Sequence, residues 1–288
     1  MGNRTDIAII GGGPAGLSAA VNAIARGKSV QLMSAAGNNL EKSENVDNYL
    51  GFYKISGTEL MNKFEEHAAA LGVSAMKGRV SNIMPLGDHF LINFGGEISE
   101  STTVILAIGV AKARQIPGEA DLLGRGVSYC ATCDGMLYRG KKAAVWGMAQ
   151  DAIEETNFLH GIGVDVTLIA RGSRPSELKA DIPFISGAVG EIIGEDRVAA
   201  VTVGQNTIEV DGVFILRSSI APSSLVPGLE TQDGYIKVTN RMETNIPGLF
   251  AAGDCTGTPL QISKATGEGL IAAQQAAKYI DAYQSKLL

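Results

Sequence analysis

Cysteine is scarce. The chain has 3 in 288 residues, and two of them form one Cys-x-x-Cys, Cys130 and Cys133. That is too few for the disulfide framework of a secreted domain, so the pair reads as redox or metal chemistry in a reducing compartment. Histidine is equally rare: the 3 residues, His67, His89 and His160, are scattered, and Cys255 stands alone. A zinc site needs further ligands at close spacing, and no metal is expected. Long basic runs are missing and the formal net charge is −6, which argues against nucleic-acid binding. No apolar stretch approaches the roughly 20 residues of a membrane span. The opening MGNRTDIAIIGGG enters a strand at once, without signal-peptide regions, so a cytoplasmic location is expected. Charged residues make up only 19% against 45% hydrophobic, which excludes a disordered chain.

Glycine, by contrast, is abundant, at 36 residues. Four apolar runs lead into glycine-rich turns: residues 6–10 (DIAII) into GGGPAG, 103–107 (TVILA) into IGVAKA, 143–146 (AAVW) into GMAQDA, and 248–252 (GLFAA) into GDC. Strand, glycine turn, helix is the signature of doubly wound parallel sheets. The pattern starts twice, and the second unit lies inside the first. The expected fold is α/β, with two Rossmann-like nucleotide-binding-type domains, the second inserted in the first. The expected boundaries are 1–113 plus 218–288 for the discontinuous domain and 114–217 for the insert. Pro117, Gly118, Ser218 and Ser219 suit hinges, about which the insert is expected to turn as a unit.

Gly11-x-Gly13-x-x-Gly16 follows a strand and opens the helix PAGLSAAVNAIARG. The glycines permit a tight turn and close approach of backbone to a pyrophosphate, which the helix N-terminus favours. The next strand, SVQLMS, ends without the acid that would hold a ribose hydroxyl; Ser34 or the AAGNNL backbone can serve instead. In GLFAAGDC, Asp254 can accept a ribityl or ribose hydroxyl. The alternative is an N-cap. Paired with GGGPAG from the other end of the chain, the stretch points to FAD.

In Cys130-Ala-Thr-Cys133-Asp134, two cysteines at a helix start can form a reversible disulfide, because the helix dipole favours the thiolate. Asp134 can return a proton to a thiolate leaving group; its alternative is a plain helix-start carboxylate. Cys255 is expected to pack beside the cofactor without a redox role.

The set GGGPAG, VILAIG, GRGVSYCATCDG, YRGKK, GYIKV and IPGLFAAGDC resembles the low-molecular-weight flavoprotein thioredoxin reductases along the whole chain. The resemblance implies an FAD domain and an NADPH domain carrying the redox cysteines, in a homodimer. It implies that Cys130 attacks the disulfide of thioredoxin, that Cys133 exchanges electrons with the flavin and that Asp134 donates the proton. FAD contacts carry over to Gly11, Gly13, Pro14, Ala15, Gly16, Asn39, Asn48, the backbone near Val80, Gly253, Asp254 and Gln261. Leu260 stands where that family often has Arg.

The second loop departs from the pattern Gly-x-Gly-x-x-Ala. It reads Gly147-Met148-Ala149-Gln150-Asp151-Ala152. Ala149 adds a Cβ where the pyrophosphate needs bare backbone. Asp151 adds a negative charge at the helix start; two like charges about 4 Å apart repel by roughly 4 kcal/mol at an effective dielectric of about 20. The next strand, VDVTLIARGSRP, offers Arg171 and Arg174 but places Ala170 and Gly172 where the family has a basic run. Loss of NADPH binding is therefore expected, and the chain resembles the ferredoxin-dependent flavin thioredoxin reductases, which share these departures. Reduced ferredoxin is the expected donor and thioredoxin the acceptor. The alternatives are an NAD(P)H-dependent enzyme with an atypical site, a deeply rooted thioredoxin reductase with another donor, and a flavin redox sensor without turnover. Arg139, Lys141 and Lys142, and Lys112 with Arg114, are candidate docking patches or plain solvated surface.

Overall fold

In Thr5–Ile10 (β1), four apolar residues in succession, Ile7 to Ile10, are all buried, as a strand covered on both faces requires. The computed structural model describes residues 4–35, 38–110, 116–148, 152–216 and 221–285, apart from the side chain of Cys133. Lys112, Arg114, Ala149, Asp151, Ser218 and Ser219 lie outside the described residues. Two compact units make up the chain: Met1–Ala111 with Ala221–Leu288, and Lys112–Ile220.

In the first unit, β1 runs into Pro14–Ile24 (α1), where proline at the first helical turn costs no hydrogen bond. Val30–Ser34 (β2) follows, then Gly57–Ala70 (α2), capped by Ser56, whose hydroxyl accepts the Glu59 N–H. Ala75–Lys77 (β3), Val80–Pro85 (β4), Phe90–Phe94 (β5) and Glu97–Leu106 (β6) complete the first leg. The sheet order is β3-β2-β1-β6-β5-β4. Strand β1 lies between β2 and β6, parallel to both. The first half of β6 is antiparallel to β5.

The second unit holds a five-stranded parallel sheet in the order Phe184–Ser186, Asp165–Ala170, Lys142–Gly147, Gly212–Leu216, Val127–Ser128. It uses Val127–Ser128 (β7), then the short helix Ala131–Asp134 (α3), Lys142–Gly147 (β8), Ala152–Gly161 (α4), Asp165–Ala170 (β9) and Phe184–Ser186 (β10). Val189–Gly194 (β11), Val198–Val203 (β12) and Asn206–Glu209 (β13) form an antiparallel meander, and Gly212–Leu216 (β14) returns to the sheet. Alternation along β8 builds two cores. Ala144 and Trp146 pack with the meander residues Val189, Val201 and Val203. Ala143 and Val145 pack with Leu159 of α4 and Phe214.

The return leg opens with Pro222–Leu225 (α5) and the hairpin Thr231–Gln232 (β15) to Tyr235–Ile236 (β16). Leu249–Ala251 (β17) then pairs parallel with the second half of β6, adding the seventh strand to the first unit's sheet. Ile262–Gln284 (α6) packs on α1 through small residues: Ala15, Ala19, Ala272, Ala273 and Ala276 share one core. A Cβ on Gly269 would stand 2.2 Å from the Ala15 carbonyl oxygen, so glycine is what lets the helices touch. No helix among the described residues is long and apolar enough to cross a membrane.

Candidate functional site

The glycine turn after β1 gives each glycine a separate task. Gly11 has φ +115°, and a Cβ there would meet the Ala107 oxygen at 2.2 Å. A Cβ on Gly16 would meet the Gly11 oxygen at 1.8 Å, so the helix presses directly on the turn. Gly13 faces open space, with nothing within 4 Å of an added Cβ. It caps α1 with no side chain, and Pro14 follows. The first turn of α1, including Ala15, therefore offers backbone donors to an approaching anion.

The end of β2 braces this turn. The Ser34 hydroxyl accepts the Gly12 N–H at 3.1 Å and donates to the Ala35 oxygen at 3.0 Å. Its single proton is thus engaged in the loop. The Gly78 N–H bonds the Ser34 oxygen at 3.0 Å, two residues before the buried Val80 that starts β4. Asn39 accepts the Lys42 ammonium at 3.1 Å. Asn48 donates to the Gln261 side-chain oxygen at 2.8 Å, joining two residues from opposite ends of the chain.

The GDC turn reaches the same helix end. Gly253 has φ +86°, and a Cβ there would stand 2.7 Å from the Cβ of Ala15. Asp254 begins a 3₁₀ turn and makes no side-chain cap. Its half-buried carboxyl is pushed above its ordinary value, first by burial and then by Glu268, with Lys264 opposing. No hydrogen bond reaches that carboxylate among the described residues. A bare glycine cradle at a helix N-terminus and a half-buried carboxylate beside it fit FAD, the first as a place that could take the pyrophosphate and the second as an acceptor that could take a hydroxyl. Cys255 is buried, with Sγ 3.4 Å from the Leu106 oxygen and 3.3 Å from that of Ala252. Burial pushes its thiol up to about 12. Sequence reading missed Lys264 and Glu268, whose side chains hydrogen-bond to Gly253; the only signal was a charged pair four apart in a helix rich in alanine and glycine.

In the second unit Cys130 immediately precedes α3, as the spacing predicted. It is disulfide-bonded, and its Sγ lies 3.3 Å from the Thr132 hydroxyl. Cys133 lies in α3, its side chain outside the described residues. Asp134 ends α3 and accepts the buried Ser128 hydroxyl at 2.7 Å. Ser128 in turn accepts the Cys130 N–H at 3.1 Å. Glu155, in the first turn of α4, accepts the Ala131 N–H at 3.0 Å. Tyr129 donates to the fully buried Glu119 at 2.9 Å, and Glu119 also accepts the Ile116 N–H at 3.0 Å. Glu119 and Glu155 were invisible to motif reading, and Ser128 and Tyr129 stood in GRGVSYCATCDG without a role, because their partners are backbone groups and side chains set by the fold. After the pair, Met136 and Leu137 are exposed, and the Lys141 ammonium sits 5.7 Å from the centre of the Tyr138 ring.

At the loop after β8, a Cβ on Gly147 would meet Leu168 and Ala152 at 2.9 and 3.0 Å. The first turn of α4 carries Glu154 and Glu155. Beyond β9, Arg171 is exposed. The Arg174 guanidinium donates to the Ile182 oxygen at 2.7 Å and the Lys179 oxygen at 2.6 Å, so it closes its own loop.

Residues 5–269 match the family described as pyridine nucleotide-disulphide oxidoreductase. Two crystal structures of a ferredoxin-flavin thioredoxin reductase from Clostridium acetobutylicum are 41% and 42% identical, with TM-scores of 0.88 and 0.89; each match covers 98% of this chain and 99% of that one. An atypical thioredoxin reductase from Desulfovibrio vulgaris Hildenborough is 31% identical over 97% of this chain and 99% of its own, at a TM-score of 0.71. A thioredoxin reductase from Bacillus subtilis is 34% identical over 98% of this chain and 96% of its own.

Proposed function

The chain belongs to the pyridine nucleotide-disulphide oxidoreductase family, and we propose that it reduces thioredoxin with electrons from reduced ferredoxin rather than from NADPH. The coarser part is not in question: it is a flavoprotein disulfide oxidoreductase of the thioredoxin reductase type, with FAD as cofactor. The likeness to the Clostridium acetobutylicum proteins supports the ferredoxin donor. The observation that carries it is Arg174. Its guanidinium, one of the two basic groups left for a 2′-phosphate, is held by two backbone carbonyls. Ala149 and Asp151 in the sequence and Glu154 and Glu155 in the first turn of α4 make the same helix end a poor anion site.

FAD, when bound, supplies a two-electron store that can be filled one electron at a time. Gly11, Gly13, Pro14, Ala15 and Gly16 would hold its pyrophosphate, Asp254 a hydroxyl, and Asn39, Asn48, Val80 and Gln261 its remaining edges. Opening the Cys130–Cys133 disulfide takes up two electrons and two protons and yields two thiols. Cys130, as thiolate, attacks one sulfur of the thioredoxin disulfide, and the other leaves as a thiolate that Asp134 protonates. Cys133 then displaces the mixed disulfide, which re-forms the Cys130–Cys133 bond and frees dithiol thioredoxin. The first unit is the FAD domain, the second carries the cysteines, and the working form is a homodimer.

Stopped-flow mixing with each donor tests the reading. Reduced ferredoxin should bleach the flavin, and excess NADPH should leave it oxidised. Bleaching by NADPH within milliseconds would sink the ferredoxin donor. Bleaching by ferredoxin without reduction of any thioredoxin would favour a sensor.

A further inference from the structure

Lys264 and Glu268 stand one turn apart on α6, each with a side chain only 16% exposed. An ordinary surface pair at this spacing stays on its own helix. This pair reaches off its helix. The Lys264 ammonium donates to the Gly253 oxygen at 2.9 Å and the Thr256 hydroxyl at 2.9 Å, besides meeting Glu268 at 3.1 Å. Oε2 of Glu268 accepts the Gly253 N–H at 2.8 Å and the Thr256 hydroxyl at 2.8 Å. Both polar groups of Gly253 are therefore gripped by opposite charges from one helix.

Gly253 needs gripping. Its φ of +86° and ψ of −151° belong to a region that only glycine visits freely, and glycine is also the residue with most freedom to leave it. It lies on Ala15 in the first turn of α1 and carries Asp254 as its neighbour. We propose that Lys264 and Glu268 are positioning residues for the cofactor: they lock the Gly253 backbone and thereby hold the Asp254 carboxylate ready for FAD. Opposite charges suit this task, because their effects on Asp254 oppose one another. The inference rests on Asp254 being an FAD ligand.

Equilibrium dialysis of the full-length protein against FAD tests it, with Asp254→Ala, Lys264→Met, Lys264→Arg and the double variant Asp254→Ala/Lys264→Met. Lys264→Met should weaken FAD binding about tenfold, and Lys264→Arg, which keeps the donors, should recover most of that loss. In the Asp254→Ala background, Lys264→Met should add less than about twofold, because the two act in series. Unchanged affinity in Lys264→Met, or the same fold loss in both backgrounds, overturns the proposal. If Lys264→Met does not fold, Glu268→Gln carries the same comparison. Failure of the underlying site looks different: Asp254→Ala itself would then leave FAD affinity unaltered.

Discussion

The hydroxyl of Ser128 donates to the Asp134 carboxylate at 2.7 Å. Because it also accepts the Cys130 N–H, one buried side chain ties together the proposed attacking cysteine and the proposed proton donor. Ser128→Ala should lower the rate of thioredoxin reduction by about tenfold, part of what a positioned acid contributes, while flavin reduction by the donor keeps its rate. Ser128→Thr should retain most activity. Equal thioredoxin rates in wild type and Ser128→Ala would show that Asp134 needs no such support.

The order of the two cysteines gives a spectroscopic expectation. Cys133→Ser should abolish electron transfer out of the reduced flavin. Cys130→Ser should leave a thiolate next to the flavin, visible as a long-wavelength charge-transfer band. The band appearing in Cys133→Ser instead would exchange the two roles.

Cys255 should be inert. With its thiol pushed up to about 12 by burial, the reactive thiolate at pH 8 is roughly one part in ten thousand of the total. After reduction, iodoacetamide at pH 8 should alkylate Cys255 only once denaturant is added, and peptide mapping reads this directly. Rapid labelling of Cys255 in the folded protein would contradict its packing.

Asp88 gives a pH dependence. Its carboxyl is held well below the usual carboxylate range, first by a hydrogen bond with His89 at 2.7 Å, then by Arg4 at 3.0 Å and Tyr283 at 3.1 Å. A carboxyl with a depressed folded value stabilises the protein above its unfolded value, about 3.9, and loses that stabilisation as the pH falls toward the folded one. Asp88→Asn should therefore lower Tm at pH 7, with the gap to wild type narrowing below about pH 4. Calorimetry across that range checks it, and a gap independent of pH would mean that ionisation is irrelevant.

The sequence was most legible where backbone geometry demanded a residue type. Gly11 and Gly16 could be read as a tight turn and a close contact, because a Cβ at either would meet backbone oxygen. The strand Lys142–Gly147 announced itself by the apolar run at 143–146. Ser34 was less legible: its position suggested a ribose contact, but not that its hydroxyl bonds Gly12 and Ala35 within the fold. Glu155, Lys264 and Glu268 could not be read at all. Each directs its charge at backbone groups of another segment, and only tertiary packing decides which. Arg174 was visible as a basic residue, but not its bonds to the Lys179 and Ile182 oxygens. The short hairpins were equally hidden, since two-residue strands leave no periodicity to detect.

The first unit takes its central strands from the beginning of the chain and its closing strand, β17, from the end. During synthesis, then, a chain that has passed residue 111 still lacks the edge that pairs with β6 and the turn that meets Ala15. The whole insert must be made before the strand and turn that complete the first unit exist. A prematurely ended chain thus keeps Cys130 and Cys133 but lacks Gly253 and Asp254, the turn that meets Ala15.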